Sequence, residues 1–346
     1  MANTAPTAHA MAAERAMMAN GVVAEDLEVD DYGDETDLDS TLGDDGASVT
    51  TSLDSSVTNF RYEHGRRYHG YKDGQYHLPN DEEEINRLEL QHKVWEIALS
   101  KRLYLAPLPE TITDVLDLGC GTGAWCIEFA DQHPHAQVLG IDLSPIQPSN
   151  IPPNCRFLVD DVSADWAFGK FFDLIHTRAL NVGIRDWDRL LQQAYENLKP
   201  GGWVELHEFH VPLACDDGSA TPDSAIIRWG EVSWEAAMKV GIDAKAALTH
   251  AERLKKQGFV NLHEQHMKWP VGPWASGEKE KKMGQLFLKD LSDGVPGMST
   301  RLLHSVLGWE MEKVEKFIEE IRRDMWNPKI HTYMPVDMFW AQKPYY

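Results

Sequence analysis

From Thr113 onward, short apolar runs alternate with amphipathic stretches. The apolar runs Asp114–Leu118, Gln137–Ile141, Cys155–Val159, Phe172–His176 and Gly202–Phe209 have the length and composition of strands. Stretches of helical periodicity, notably Ala124–Gln132 and Trp187–Leu198, fall between most of them. Such alternation predicts a parallel sheet with helices on its faces, because each parallel return needs a crossover. After residue 215 the spacing turns mostly helical, over about Asp223–Val240, Ala244–Gln257, Glu278–Ser292 and Glu310–Met325. Two late strands are expected at Val260–Lys268 and His331–Gln342. The pattern therefore predicts an α/β fold with a seven-stranded, mostly parallel sheet, flanking helices and a helical cap at about residues 223–325.

Upstream, Ile85, Leu88, Trp95 and Leu99 recur near helical spacing, with His92 in the same stripe. Asn80-Asp81-Glu82-Glu83 offers a cap and first-turn acids that suit the helix dipole. Prolines within Leu105–Pro109 end that helix. Before residue 60 the periodicity disappears. No Lys or Arg stands between Arg15 and Arg61, and Glu25 through Asp54 is crowded with Asp, Glu, Ser, Thr and Gly. Such a stretch buries too little apolar area to offset its ordering entropy. Residues 1–59 are thus predicted to be a disordered acidic tail, solubilising or, alternatively, an interaction arm. Residues 60–110 form an N-terminal lid and helix, and residues 111–346 the main domain.

The chain has 346 residues, enough for one large domain or two small ones, and its 42% hydrophobic content with 12 Trp supports a substantial core. A net charge of -22 disfavours nucleic acid and anionic membranes, whose phosphates it would repel. No apolar run approaches the ~18–20 residues of a membrane span, and the N-terminus lacks the pattern of a secretory signal. Cys120, Cys126, Cys155 and Cys215 form no CxxC pair, so no zinc site or disulfide framework is expected. A reducing compartment, cytoplasmic or alternatively nuclear, fits that usage.

The strongest chemical signal is Val115 through Gly123, V-L-D-L-G-C-G-T-G. An apolar strand runs into a glycine-rich turn and then a helix. Glycines permit the sharp turn and let a ligand approach the backbone, and helix N-terminal amides point at its anionic group. Taken alone, Gly119-x-Gly121-x-x-Ala124 with Asp142 downstream also satisfies a dinucleotide-binding pattern, so an NAD-dependent oxidoreductase competes at this stage. Three features tip the balance. Asp117 would repel a pyrophosphate yet accept a hydrogen bond from an ammonium. Asp142, beside Leu143 at the end of the second strand, can accept from both ribose hydroxyls. L-K-P-G-G-W over residues 198–203 precedes the fifth strand.

In this order, D-L-G-C-G-T-G, the acid at 142, Val159-Asp160-Asp161-Val162 and L-K-P-G-G-W resemble the class I S-adenosylmethionine (SAM)-dependent methyltransferases, which have a Rossmann-like fold. The resemblance implies SAM as cofactor, held by Asp117, Gly119, Cys120, Gly121, Gly123, Asp142 and Leu143. It places Asp161 on the adenine amino group with Val162 beside the ring, Asp160 being the alternative. Further upstream, residues 62–71 read Y-E-H-G-R-R-Y-H-G-Y, followed by Tyr76-x-x-Pro79-Asn80-Asp81-Glu82 and Leu88-x-Leu90-Gln91-His92. With Phe172-Asp173-Leu174-Ile175-His176-Thr177-Arg178 and Asp186-Trp187, this resembles the LaeA-like methyltransferases of filamentous fungi. Arg67 stands where relatives often carry Thr or Ser. The family implies two roles: tailoring enzymes that methylate small secondary metabolites, and regulators of secondary metabolism that partner velvet-type proteins in the nucleus.

Segment 62–71 can fold over a bound cofactor, with Tyr62 and Tyr68 offering ring faces to the sulfonium and Arg66 pairing with its carboxylate. Methyl transfer is an in-line displacement, so the protein chiefly positions the acceptor, about 3 Å from the methyl. Base candidates are His207, Glu208 and His210 after the fifth strand and His176 after the fourth, at the carboxyl edge of the sheet where ligands bind. Glu208 and His176 are favoured. Trp229, Trp234, Trp269, Trp274 and Trp309 are candidates to line the acceptor pocket, although for each singly core packing is the favoured explanation. No metal site is expected.

Overall fold

The structure, a computed structural model, describes residues 59–346. The expected acidic tail lies, apart from Asn59, outside the described residues. Two short strands, β1 (Arg61–Glu63) and β2 (Arg66–Tyr68), form an antiparallel hairpin that turns at Gly65, where φ is +77°. Helix α1 (Glu82–Ala98) follows. Its cap is Asp81, whose side chain accepts from the Glu84 amide. Asn80 is not the cap, because its own side chain accepts from Arg67 and donates to Ser144.

The central sheet comprises β3 (Asp114–Leu118), β4 (Gln137–Asp142), β5 (Cys155–Val159), β6 (Phe172–Arg178), β7 (Leu198–Phe209), β8 (Val260–Pro270) and β9 (Tyr333–Gln342). Their spatial order is β5-β4-β3-β6-β7-β9-β8. Ladders are parallel from β5 through β7, and antiparallel where β9 pairs with β7 and β8. The α/β architecture expected from the alternation is thus the one observed. Strand β3 is apolar on both faces because both are covered. Val115 packs with α2 (Ala124–Gln132), against Trp125 and Phe129. Leu116 and Leu118 face the other way, toward α3 (Trp187–Asn197) and α5 (His250–Gln257). The same alternation turns Asp117 to the α2 side.

A third core joins α1 to α4 (Ala225–Lys239), α6 (Glu278–Thr300) and α7 (Met311–Met325) around Trp269, Phe287, Val314 and Ile321. Helix α6 is longer than its sequence pattern predicts. It continues through Pro296 and runs into a π-helical turn, Arg301–Val306. Two glycines beyond the expected end serve close packing. A Cβ on Gly294 would lie 2.7 Å from Arg87 Cδ, and one on Gly297 would lie 3.0 Å from Pro79 Cγ. The expected helix over 244–257 divides into a 3-10 turn, Ala246–Thr249, and α5. Among the described residues no helix is long and apolar enough to cross a membrane.

Candidate active site

The carboxyl ends of β3, β4 and β6 share one edge of the sheet, and the turn after β3 is built for close approach. Gly119, Gly121 and Gly123 all have positive φ, at +69°, +56° and +80°. The Gly119 and Cys120 amides both donate to the Ile141 carbonyl, at 2.8 and 2.9 Å, which pins the turn to β4. The three glycines do different jobs. A Cβ on Gly123 would meet the Phe157 ring at 2.3 Å, so this position is empty for packing. A Cβ on Gly121 would find only Leu88 Cδ1, at 3.7 Å. Gly121 forms part of the wall of a cavity of about 280 Å³, together with Gly119 and Cys120, whereas Gly123 does not reach it.

Acids outnumber arginines in that wall, six to two. Asp142 sits at the end of β4, its Oδ2 accepting from the Gly121 amide and its Oδ1 from the Ser144 amide, each at 2.9 Å. Burial pushes its carboxyl up to about 6. Leu143 lies beside it in the wall. Asp161 and Val162 line the cavity after β5, as does Asp160. Asp161 accepts from the Ser163 amide and, at 2.8 Å, from Lys72 Nζ. Asp117 also lines the cavity, with one oxygen 2.7 Å from His176 Nδ1 and the other accepting from the Cys126 thiol.

The structure does not bring His176 to the cavity. Its ring is fully buried and stacks on Trp125, centroids 4.0 Å apart, so it braces Asp117 from behind. Glu208 does line the cavity. It is buried at the end of β7, accepts from the Asn181 amide at 3.0 Å and from Thr177 Oγ1 at 3.3 Å, and burial pushes its carboxyl up to about 8. His207 points to the opposite face, as strand alternation requires, and bonds Glu205 at 2.6 Å. His210 pairs with Asp337 outside the cavity wall.

The hairpin covers the site differently from the expectation. Tyr62, Arg66 and Tyr68 are all absent from the cavity wall. Tyr62 is exposed. Arg66 forms a two-pronged pair with Asp81, at 2.6 and 2.8 Å, so its guanidinium is committed to the acid that caps α1. Tyr68 is buried under the Arg301 guanidinium, 4.2 Å from its ring centre. The wall is made instead by the next segment, Gln75 through Asn80. That segment is held in place by His69, which bonds the carbonyls of Tyr71 and Tyr76 at 2.7 and 2.9 Å. Lys72, in the same loop, reaches across to Asp161.

Toward the cap the cavity becomes apolar, with Phe209, Trp229, Phe287, Leu291 and Met298 in its wall. Of the five candidate tryptophans only Trp229 contributes. Trp269 and Trp274 are core residues, while Trp234 and Trp309 lie against Lys245 and Lys313. Sequence reasoning missed Glu84, Arg87, Arg178 and Asn181, which all line the cavity. Arg87 is buried between Glu84, at 2.7 and 3.0 Å, and Asp290, at 2.8 Å. The i,i+3 spacing of Glu84 and Arg87 was the only available signal for that pair.

These residues fit SAM. The wall holds an excess of acids, which suits a cofactor carrying an ammonium and a sulfonium and would repel a pyrophosphate. At Gly121 only the absence of a side chain keeps the cradle open.

Comparison with known proteins agrees. A methyltransferase-domain family profile matches residues 90–264. Methyltransferase pytC of Aspergillus terreus is 39% identical over 312 residues, spanning 90% of this chain and 96% of the relative. Secondary metabolism regulator LAE1 of Cochliobolus heterostrophus is 35% identical, over 86% of this chain and 99% of the relative. Protein-methionine methyltransferase laeA of Emericella nidulans is 33% identical, over 87% and 81%. The oxidoreductase reading left open by the glycine spacing falls away: the chain belongs to the LaeA-like family of SAM-dependent methyltransferases.

Proposed function

We propose that the protein methylates an oxygen or nitrogen of a small secondary metabolite within a biosynthetic pathway. The observation that carries this reading is the cap end of the cavity, apolar and enclosed, with the buried carboxyl of Glu208 beside it. SAM supplies an activated methyl group on a sulfonium. Asp142 accepts from its ribose, Asp161 and Val162 receive its adenine, and the turn from Asp117 to Gly121 cradles its amino-acid end. Tyr62, Arg66, Tyr68, Gly123 and His176 have no direct contact in this scheme. Glu208 takes the proton of the acceptor once ionised, with the Asn181 amide and Thr177 fixing its orientation. Segment 60–110 serves as lid, and the helices within about 223–325 set acceptor choice.

Similarity to a relative named simply a methyltransferase, at 39% identity against 35% for one named a regulator, supports the tailoring role. Four free cysteines among the described residues suit a reducing, cytoplasmic setting. The second reading, a nuclear regulator working through a velvet-type partner or by methylating protein, draws on relatives named regulator and protein-methionine methyltransferase. Incubation with labelled SAM and cell extract, followed by separation of small molecules from protein, tests the choice. Label in a small molecule that accumulates unmethylated when the protein is withheld is the expected result. Label confined to protein would reject the tailoring role.

A further inference from the structure

We propose that Arg178 receives the carboxylate of the cofactor's amino-acid end. The inference rests on SAM being the cofactor and assigns a group that the sequence had given to Arg66. Arg178 is the last residue of β6. In the β3–β6 ladder Asp117 pairs with His176 and Leu118 with Thr177, so Arg178 comes level with Gly119, where the glycine turn begins. Asp117, Trp125, Leu88 and Gln91 line the same cavity. Asp117 and Gly119, which the sequence assigns to the cofactor's amino-acid end, lie on and directly after the strand that β6 pairs with.

Arg178 is a half-buried cation in the cavity wall with few side-chain partners. Among the described residues its one hydrogen bond goes from Nη2 to His92 Nδ1, at 2.8 Å, and its guanidinium lies 5.8 Å from the Trp95 ring centre. His92 is a neutral acceptor there. Because arginine can only donate, the His92 proton must sit on Nε2, toward Glu128 Oε1 at 3.1 Å. The same wiring removes the lone pair that a metal would need from the cluster of His92, Glu96 and Glu128, although their ligand atoms are close together. Burial holds the Arg178 guanidinium below the usual arginine range, with Asp117 and Glu128 only partly offsetting it. The other cation in the wall, Arg87, is already satisfied by Glu84 and Asp290. Arg178 therefore brings unused donors to the place where a carboxylate would arrive, and a planar guanidinium suits that anion.

Calorimetric titration of the full chain with S-adenosylhomocysteine and with methylthioadenosine tests the assignment. Both ligands share the adenosine and thioether, but the second has no amino-acid group. Arg178→Gln is expected to weaken S-adenosylhomocysteine by about 50-fold, in the range for truncating one side of a buried charge pair, while methylthioadenosine changes by less than about twofold. Arg178→Lys is expected to recover part of the loss for the first ligand only. Methylthioadenosine binding by each variant also reports that its site is folded. An equal loss of both ligands would mean that Arg178 only supports the wall, and unchanged S-adenosylhomocysteine affinity would mean that it serves the acceptor. Either result overturns the assignment. If the unaltered protein bound neither ligand, the cofactor reading itself would fall, which is a separate outcome.

Discussion

Gly121 separates the demands of the fold from those of the ligand, and Gly121→Arg exploits this. The backbone there has φ of +56°, so any L side chain incurs about 1–2 kcal/mol of left-handed strain. Nothing in the protein opposes the new side chain, since its Cβ would touch only Leu88 Cδ1 at an ordinary 3.7 Å. The expected stability loss is therefore about 1–2 kcal/mol, a Tm decrease of about 2–4 °C. Beyond Cβ the arginine has to enter the cavity of about 280 Å³, where Asp142 offers it a carboxylate. SAM and the arginine side chain cannot share that space, so affinity is expected to fall more than ~100-fold, at least 2.7 kcal/mol. Gly123→Ala is the control. Its Cβ would stand 2.3 Å from Phe157, so overpacking adds about 1–3 kcal/mol to the backbone strain. Thermal melts should rank Gly123→Ala below Gly121→Arg, while SAM titrations rank them the other way. Near-normal SAM affinity in a folded Gly121→Arg protein would refute the pocket assignment.

Glu208→Gln keeps acceptors and donors for Asn181 and Thr177, so SAM affinity should stay within about threefold while single-turnover transfer drops about 10²–10⁴-fold; a drop under tenfold would remove Glu208 as the base. Because the ionised carboxylate is the active form and its value lies at about 8, transfer should rise with pH and level off above that point. The same group sets a stability trend. Between its ordinary value of 4.5 and about 8 the folded protein retains a proton that the unfolded chain releases, so stability should decline with rising pH, and more steeply than in Glu208→Gln. Parallel slopes in urea melts across that window would contradict the burial argument. Arg87→Met strands Glu84 and Asp290 and should destabilise by about 3–5 kcal/mol in urea titrations; a cost under about 1 kcal/mol would show that the triad is not cohesive. Asp142→Ala removes the acceptor for two turn amides and the ribose partner, and should weaken SAM about 10–100-fold by calorimetry, whereas unchanged affinity would move the ribose elsewhere.

Much of this architecture was readable from local pattern. Strands β3 and β5 begin and end where their runs do, and in β3, covered on both faces, Val115, Leu116 and Leu118 are all buried, whereas the edge strand β5 exposes Arg156 and Leu158. Helix α2 was equally plain, because the glycine turn fixes its start. What the sequence could not show were pairings between distant residues. Arg66 looked available because its partner, Asp81, lies 15 positions on and reads first as a helix acid. His176 looked like a base because its engagement with Asp117, 59 positions away, is a consequence of strand register. The strands of the first hairpin have only three residues each, too short for an alternation to show. Helix α6 outran its pattern because packing against Arg87 and Pro79 outweighed the local cost of glycine and proline. Arg178 stood in a recognised motif, but nothing local said that its guanidinium would be left short of partners.

The covering loop has one more consequence. Beside hydrogen bonds from Arg185 to the Gly74 and Gln75 carbonyls, its ties to the body of the protein include ion pairs: Lys72 to Asp161, and Arg301 to both Glu63 and Asp73. Lys72, Glu63 and Asp73 each keep more than a third of their side-chain surface in solvent, at 38%, 37% and 37%. Ions screen such contacts, whereas they leave the apolar sheet interior untouched. Electrolyte should thus act as a throttle on exchange of spent cofactor, and rates measured in dilute and concentrated buffer would report different slow steps of one cycle.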